Sequence, residues 1–311
     1  MYIMMDMGTS NTRLWLARGT EILASRRAGF GAGMGRREGR EKLFASVREL
    51  ISELLQDADV DASDIECVMA SGMAESEFGL FEVPHIPLPA DHAVLCANLA
   101  QTYLPTVAPF RFVFVPGLKK QGADGSVLDI MRGEETEAMG ILQNAGIDGA
   151  GVLVLPGSHN KILLFEAGGT VTDFATTLSG ELLAAILSGT ILSASASHDF
   201  ALDPDALLGG AAYARENGLN AALFQVRVME RNNTTHDARS SFLYGAVIGG
   251  ECDLIRKMAN GRPIYVGGRA GLRNAYVTLL GEGACGLDEA CCADAVRSGL
   301  ASVYAAAIAE H

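Results

Sequence analysis

The same arrangement of strands and turns occurs twice in this chain, and that repetition constrains its fold more than any other feature. The first copy opens with the apolar run 2–6 and the second with the run 152–155, about one domain length later. Each run stops at a turn of small residues and is followed by a second apolar run, at 14–17 and at 162–165. Short apolar runs bounded by turn residues predict buried strands, so each copy is predicted to begin with a hairpin.

Helices are predicted between the strands, where apolar residues recur at spacings of three and four. The clearest case is the segment 41–55. Further helices are predicted at 180–192, 206–217, 221–231 and 238–258, near 272, and from 293 onward. Further strands are predicted at 21–24, 67–70, 112–115, 170–174 and 263–266. A length of 311 residues has room for two domains. We therefore predict an α/β chain with an N-terminal lobe at 1–137 and a C-terminal lobe at 138–311.

Composition excludes several classes of partner. The chain has 24 basic and 37 acidic residues and a net charge of −13, which argues against binding to nucleic acid or to an anionic membrane surface. No apolar run approaches the ~20 residues of a membrane helix, and a strand is predicted at once, without an export leader. The six cysteines and six histidines lack metal-ligand spacing. We expect a reduced, cytoplasmic protein without zinc.

The turn after the first strand suits a phosphate group. Gly8 permits close backbone approach, and the hydroxyls of Thr9 and Ser10 can donate to phosphate oxygens. Asp6 could hold a magnesium ion through water, and Arg13 could neutralise phosphate charge. The alternative is a polar hairpin turn that a buried Asp caps.

The second copy offers a matching turn and a later glycine pair. Gly157 and Ser158 can contact phosphate and Lys161 can add positive charge, although a Pro-Gly turn with an exposed Lys is the alternative. Gly267 and Gly268 follow a predicted strand and precede a helix, which would give a flat ligand such as adenosine a surface free of side chains.

Charged residues at 129–137 precede another predicted helix. Arg132 could bind a carboxylate through two parallel hydrogen bonds. Glu134 or Glu135 could orient a hydroxyl or a magnesium-bound water, with Asp6 as the rival catalytic group. The alternative is a charged helix start, where acidic side chains favour the helix dipole.

Two further segments of the first lobe are candidates for binding a polyhydroxy substrate. They are Ser71-Gly72-Met73, after a predicted strand, and Asp91, at the end of a proline-rich stretch, 75–92, that we predict to be an ordered loop. Ordinary loop structure is the alternative for both.

The order of these motifs resembles the 2-dehydro-3-deoxygalactonokinase family of the actin/hexokinase/heat-shock ATPase superfamily. The matching stretches are 6–13, 71–73, 87–91, 115–118, 131–136, 155–161 and 178–182. The resemblance implies a two-lobed, ribonuclease H-like duplicated ATPase fold. It implies transfer of the ATP γ-phosphoryl group to the terminal hydroxyl of 2-keto-3-deoxy-galactonate, with Mg²⁺ at Asp6. The sugar acid would bind in the N-terminal lobe and adenosine in the C-terminal lobe, and the lobes would close over the nucleotide.

The sequence departs from the expected pattern at three positions. Ile162 stands where a Trp is expected, Leu183 where an aromatic residue is expected, and Pro156 where the superfamily often carries an Asp. These departures leave the identity of the catalytic base open, and they leave room for a related substrate. The alternatives are a kinase for another sugar or sugar acid, a phosphatase on the same fold, and a filament-forming ATP-binding scaffold. The sequence leaves the oligomeric state open, a homo-oligomer included.

Overall fold

The computed structural model describes residues 1–307. The strands are β1 (Tyr2–Met7), β2 (Thr12–Arg18), β3 (Glu21–Ala28), β4 (Cys67–Gly72), β5 (Ile86–Pro87), β6 (Ala100–Tyr103), β7 (Arg111–Phe114), β8 (Leu118–Gln121), β9 (Val127–Met131), β10 (Gly151–Leu155), β11 (Asn160–Phe165), β12 (Val171–Thr177), β13 (Ile264–Val266) and β14 (Ala284–Gly286). The helices are α1 (Ala32–Glu38), α2 (Arg40–Asp57), α3 (His92–Ala97), α4 (Glu134–Ala145), α5 (Ser179–Gly189), α6 (Pro204–Asn217), α7 (Leu219–Arg231), α8 (His236–Ala259), α9 (Ala270–Leu280), α10 (Glu289–Ala293) and α11 (Ala295–Ala307). Single 3₁₀ turns lie at Ala62–Asp64, Met73–Glu75 and Ile191–Ala194.

The first of two compact units comprises Met1–Asp148, Gly168–Val171 and the C-terminal segment from Cys291. Its main sheet has the strand order β3-β2-β1-β4-β7-β6, in which β1 is antiparallel to β2 and parallel to β4. The apolar face of α2 packs into the core of this sheet. A smaller sheet has the order β5-β8-β9.

The second unit comprises Gly149–Ala167 and Thr172–Ala290. Its sheet has the order β12-β11-β10-β13-β14, with β10 antiparallel to β11 and parallel to β13. In both sheets the first strand of the copy, β1 or β10, lies between an antiparallel neighbour and a parallel neighbour. This shared topology confirms the predicted duplicated α/β fold. The predicted lobe boundary between 137 and 138 falls within α4.

Most predicted elements are present, with ends that differ by a few residues. The sequence analysis missed α1, α3, α10, β5, β6, the β8–β9 hairpin and β14. Helix α1 was missed because its AGMGRRE sequence contains two poor helix formers and lacks apolar periodicity. The proline-rich stretch 75–92 is ordered, as predicted, and contributes β5.

Within 1–307 no helix combines the length and the apolar character needed to cross a bilayer.

Candidate active site

Asp6 lies at the carboxyl edge of the first sheet. It is opposite Arg13 on β2 and opposite Ser71 on β4. Arg13 Nε donates to Asp6 Oδ2 at 2.8 Å, and Arg13 Nη2 donates to the same oxygen. The side chain of Asp6 is 18% exposed and that of Arg13 39%, so the pair remains open to a ligand. Ligands of open α/β sheets bind beyond the carboxyl ends of parallel strands, which makes this edge a candidate site.

The predicted phosphate turn follows β1 and rests on the start of α1. Two backbone N–H groups of α1 donate to Gly8 O at 3.0 Å and to Thr9 O at 2.9 Å. A Cβ atom on Gly31 would lie 2.1 Å from Gly8 O, so this approach requires glycine. Thr9 and Ser10 are exposed, and their hydroxyls are therefore accessible to a ligand. The sequence analysis gave Gly31 no role, although the GFGAGMG stretch signals close backbone contact.

Two glycines bring the start of α4 against the end of β4. Gly72 and Gly133 have φ values of +81° and +101°, and a Cβ atom on Gly133 would lie 3.0 Å from Gly72 Cα. A Cβ atom on Gly72 would lie 3.5 Å from Asp6 Oδ1. Glu134 Oε2 accepts a hydrogen bond of 2.9 Å from Arg132 N. The structure thus assembles the predicted residues Asp6, Gly72 and Glu134 at one edge of the sheet.

Glu137 lies in the first turn of α4 and was given no role by the sequence analysis. Burial raises the pKa of Glu137 to about 7, as do the negative charges of Glu134 and Asp6, while Arg13 acts in the opposite direction. The residue as a whole keeps some exposed surface, and no hydrogen bond holds its carboxyl group in the described part of the chain. The three-residue spacing from Glu134 could have revealed it, since that spacing places both side chains on one helical face.

Ser71 belongs to a buried chain of hydrogen bonds behind this edge. Its hydroxyl donates to Thr136 Oγ1 at 2.9 Å, and Thr136 Oγ1 donates to Glu135 Oε1 at 3.1 Å. Glu135 accepts from Gly133 N at 2.8 and 2.9 Å and so caps α4. Burial, followed by the charge of Glu134, raises the pKa of Glu135 to about 7. Ser71 is completely buried, so its hydroxyl holds the start of α4 and does not face solution.

Arg132 is bonded within the protein. Its Nη1 donates to Glu75 Oε2 at 2.7 Å, and its Nη2 donates to Val83 O at 2.9 Å and lies 3.2 Å from His85 Nδ1. Burial and then the charge of Glu135 raise the pKa of Glu75 well above its ordinary value, against the influence of Arg132. Arg132 and Glu75 form an ion pair whose side chains are 11% and 0% exposed.

The two remaining substrate candidates have local structural contacts. Met73 begins the 3₁₀ turn Met73–Glu75, and its carbonyl accepts from Ser76 Oγ at 2.8 Å. Asp91 Oδ1 accepts from Val94 N at 2.9 Å and caps α3. These contacts explain the local structure of both segments without a ligand.

In the second unit, the turn after β10 and the glycine pair after β13 lie side by side. Gly267 N donates to Val154 O at 2.9 Å. Gly268 has φ +81°, and a Cβ atom there would lie 3.2 Å from Pro156 Cδ. Gly157 and Ser158 are exposed. The structure therefore brings together two segments that the sequence analysis assigned to the phosphates and to adenosine.

These segments border a cavity of about 840 Å³ within the second unit. Its apolar wall includes Leu183, Phe200 and Tyr244, and Arg269 lies at the glycine side. Tyr244 Oη lies 2.6 Å from His198 Nδ1, and its ring centroid lies 4.8 Å from that of Phe200. The volume suits a nucleotide, since small-molecule sites measure roughly 300–1,000 Å³. Sequence reasoning missed this wall because its residues lie on separate elements.

Lys161 is not at the surface of this cavity. It is 5% exposed, and its Nζ donates to Thr176 Oγ1 at 2.8 Å. In this structure the Lys161 ammonium group is bonded to Thr176 of β12.

A bound metal ion would be coordinated by the ligand as well as by the protein. In residues 1–307 no group of three or more His, Cys, Asp or Glu side chains could hold a metal. Mg²⁺ in phosphate-transfer sites binds one or two carboxylates together with substrate phosphates and water, so the partly exposed Asp6 carboxylate fits that ion.

Comparison with known proteins gives a family match over nearly the whole chain. The model of the family described as 2-keto-3-deoxy-galactonokinase matches residues 6–303. A protein of Rhizobium meliloti named as a 2-dehydro-3-deoxygalactonokinase is 30% identical over 97% of this chain and 95% of its own length. The 2-dehydro-3-deoxygalactonokinase of Escherichia coli is 30% identical over 82% of this chain and 80% of its own length.

Solved structures agree with this match. A crystal structure assigned to a 2-dehydro-3-deoxygalactonokinase from Sinorhizobium meliloti has a TM-score of 0.80 at 26% identity and covers 99% of this chain and all of its own. The activator of 2-hydroxyisocaproyl-CoA dehydratase from Clostridium difficile has a TM-score of 0.53 at 12% identity and covers 97% of this chain and 93% of its own, a similarity of fold alone. The predicted actin/hexokinase-like fold is confirmed. This chain belongs to the 2-keto-3-deoxy-galactonokinase family and is a kinase that transfers a phosphoryl group to an alcohol.

Proposed function

We propose that this kinase transfers the γ-phosphoryl group of ATP to the terminal hydroxyl of 2-keto-3-deoxy-galactonate and forms the 6-phosphate. The family match over residues 6–303 carries this proposal. The structure supports it because the two predicted phosphate turns lie in equivalent positions of two sheets with the same topology.

The proposal assigns the nucleotide base and ribose to the 840 Å³ cavity of the second unit. Gly267 and Gly268 would lie against adenosine, and Gly157 and Ser158 would contact the phosphates. Backbone N–H groups and hydroxyls suit phosphate oxygens because they donate without bulk. Lys161 would contribute positive charge from beneath the turn.

Asp6, Gly8, Thr9, Ser10 and Arg13 are assigned to the transferred phosphate. Arg13 and the exposed hydroxyls would offset its charge, and Asp6 would bind the Mg²⁺ ion, which stabilises negative charge on the phosphoryl group when bound. Since Arg13 is paired with Asp6 in the structure, we expect the guanidinium to turn toward phosphate oxygens when ATP binds.

The sugar acid is assigned to the first unit. Arg132 remains our candidate for binding its carboxylate, and its guanidinium would exchange a bond to Glu75 or Val83 for one to the substrate. Gly72, Met73 and Asp91 remain our candidates for contacts with the sugar hydroxyls, whereas the buried Ser71 would act through the start of α4.

Two carboxylates of α4 compete for the role of general base. Glu134 was the first candidate from sequence, but its Oε2 accepts a hydrogen bond from Arg132 N. Glu137 has a pKa raised to about 7, and its carboxyl group has no hydrogen bond in the described chain. A base works best when its pKa lies near the working pH, so we propose that Glu137 accepts the hydroxyl proton and that Glu134 orders the helix start.

The sequence departures affect this assignment little. Ile162 lies in the core of the second unit, and Leu183 lines the nucleotide cavity. Neither lies in the unit to which the sugar acid is assigned. We therefore attribute Ile162 to core packing and Leu183 to the wall of the nucleotide cavity, and neither to a different phosphoryl acceptor.

A coupled ADP-release assay tests the proposal. The enzyme is supplied with Mg²⁺, ATP and 2-keto-3-deoxy-galactonate, and in parallel with the gluconate epimer. Turnover that requires the galactonate-derived acid supports the assignment. Turnover with a different sugar acid alone would reject the substrate and keep the reaction.

A further inference from the structure

A buried polar cluster lies directly beneath the second phosphate turn. It consists of Asn160, Ser179, Glu251 and Tyr276, which come from β11, α5, α8 and α9. All four are buried, and Asn160 and Tyr276 are completely so. No role for Glu251 or Tyr276 follows from their local sequence. We name these four residues the turn-support cluster.

Glu251 is the centre of the cluster. Asn160 Nδ2 donates to both of its oxygens at 3.2 Å, and Ser179 Oγ donates to Oε2. The phenol of Tyr276 also bonds Glu251, and burial followed by the charge of this carboxylate raises the pKa of Tyr276 well above its ordinary value. Within residues 1–307 no cation pairs with Glu251. A buried carboxylate without a cation is costly, which favours a functional reason for its presence.

The cluster fixes the turn from one side through Asn160. Asn160 Oδ1 accepts from Gly157 N at 2.8 Å. Its Nδ2 faces Glu251 and also lies 2.6 Å from Tyr276 Oη. Because the amide nitrogen needs acceptors, Glu251 sets the orientation in which the amide oxygen faces the turn.

The cluster fixes the turn from a second side through α5. Ser179 begins this helix and donates to Glu251. In the next residues, Glu181 N donates to Ser158 O at 2.9 Å, and a Cβ atom on Gly180 would lie 1.8 Å from Gly157 O. One carboxylate therefore holds both supports of the turn.

We infer that Glu251 is a positioning residue for the phosphates of the nucleotide: it holds Asn160 and the start of α5 so that the Gly157–Ser158 turn is preformed. The inference rests on the proposed assignment of the ATP phosphates to this turn. Preformed donors cost no reorganisation when the ligand binds. Glu251 acts through its neighbours and does not itself touch ATP.

The test compares ATP with adenosine, which lacks the phosphates. Glu251→Gln places an amide where three donors converge, so one donor must lose its acceptor. We expect the Kd for ATP, measured by calorimetry, to rise about tenfold, and the Kd for adenosine to change less than about twofold. The KM for ATP should rise similarly, with a smaller change in kcat. Asp253→Asn, an exposed position on the same helix, is the matched control and should change neither Kd.

The ratio of the two dissociation constants decides the inference. Equal weakening of ATP and adenosine, or no weakening of either, would overturn it, because a merely structural role would not distinguish the ligands. If Glu251→Gln does not fold, Ser179→Ala removes one donor to Glu251 and is judged by the same ratio. If the wild-type protein binds neither ligand, the proposed nucleotide site is overturned and the inference with it. If the wild-type protein and Glu251→Gln bind ATP with the same Kd, the inference alone is overturned.

Discussion

The two phosphate turns occupy equivalent places in their sheets but are supported by different means. The first turn rests on backbone contacts, in which Gly31 allows the start of α1 to approach Gly8 O. The second turn has comparable backbone contacts from Gly180 and Glu181 of α5 and, in addition, a side-chain support in which Asn160, held by Glu251, accepts from Gly157 N. A backbone support tolerates few substitutions, whereas a side-chain support can be changed one hydrogen bond at a time.

The turns also differ in charge. The first has Asp6, Arg13 and Glu137 close together, whereas the cavity beside the second is lined mainly by apolar and small residues, among them Leu183, Phe200 and Gly268. The difference suggests a division of work in which the first unit performs the chemistry and the second holds the nucleotide. The predictions below test that division, from the largest expected effect to the smallest.

Removing the charge of Asp6 should have the largest effect. Asp6→Asn keeps the shape of the side chain but weakens the metal site, so we expect kcat to fall by about 10³-fold with a small change in nucleotide affinity. Steady-state kinetics with varied Mg²⁺ measures this. Asp57→Asn, an exposed position paired with Arg26, is the control and should be neutral. A change in KM for ATP alone would break the proposed division.

Replacing the proposed base should reduce kcat by about 10²-fold. Because the base must be deprotonated and the pKa of Glu137 is about 7, wild-type kcat/KM should decline as the pH falls below about 7. Glu137→Gln should lose both the rate and this acid limb. Glu134→Gln should lower kcat at least tenfold while the limb remains; a limb that disappears in Glu134→Gln alone would assign the proton to Glu134.

The same pKa has a consequence for stability. The folded-state pKa of Glu137 lies above its ordinary value of 4.5, so the folded state binds the proton more tightly than the unfolded chain. The contribution of Glu137 to the free energy of unfolding is therefore most favourable below pH 4.5, and it is lost as the pH rises through about 7. We expect the wild-type Tm to fall between pH 5 and pH 8, and to fall less in Glu137→Gln. Parallel Tm curves for the two proteins would contradict the raised pKa.

Glycine-to-alanine substitutions allow the supports of the two turns to be compared. Gly31→Ala and Gly180→Ala each place a Cβ atom about 2 Å from a turn carbonyl, and overpacking of this kind costs about 1–3 kcal/mol. Urea denaturation measures the loss. Gly31→Ala should mainly lower kcat, and Gly180→Ala should mainly raise the KM for ATP. Gly29→Ala and Gly189→Ala meet no atom within 4 Å and are the matched controls.

The smallest effect is expected at the apolar wall of the cavity. Tyr244→Phe removes the hydrogen bond to His198 but keeps the ring against Phe200. Loss of one hydrogen bond costs about 1 kcal/mol, so the KM for ATP should rise about fivefold with kcat unchanged. A fivefold fall in kcat would indicate that Tyr244 takes part in the chemical step, which would contradict the proposed division between the two units.

Local sequence patterns were enough to predict the duplicated fold and the positions of the turns at Gly8 and Gly157. Strand–turn–strand patterns are local, and the hydrophobic periods that mark strands and helices can be read along the chain. For the same reason the sequence placed Asp6, the turn at Gly157 and the Gly267–Gly268 pair correctly at the ends of strands. The long motifs at 131–136 and 155–161 indicated the family, which the comparisons confirmed.

The tertiary structure decided which side chains meet. Lys161 is an obvious cation in sequence, yet it is buried, and Ser71 is a polar residue after a strand whose hydroxyl faces the interior. Glu251 gave no signal of its own, because its partners come from elements far apart in the chain. The spacing of Glu137 from Glu134 was a local signal, but its proximity to Asp6 and Arg13 was not. Burial, and the charge of neighbours brought close by folding, set the pKa of a carboxyl group and its partners, and neither quantity can be read from local sequence.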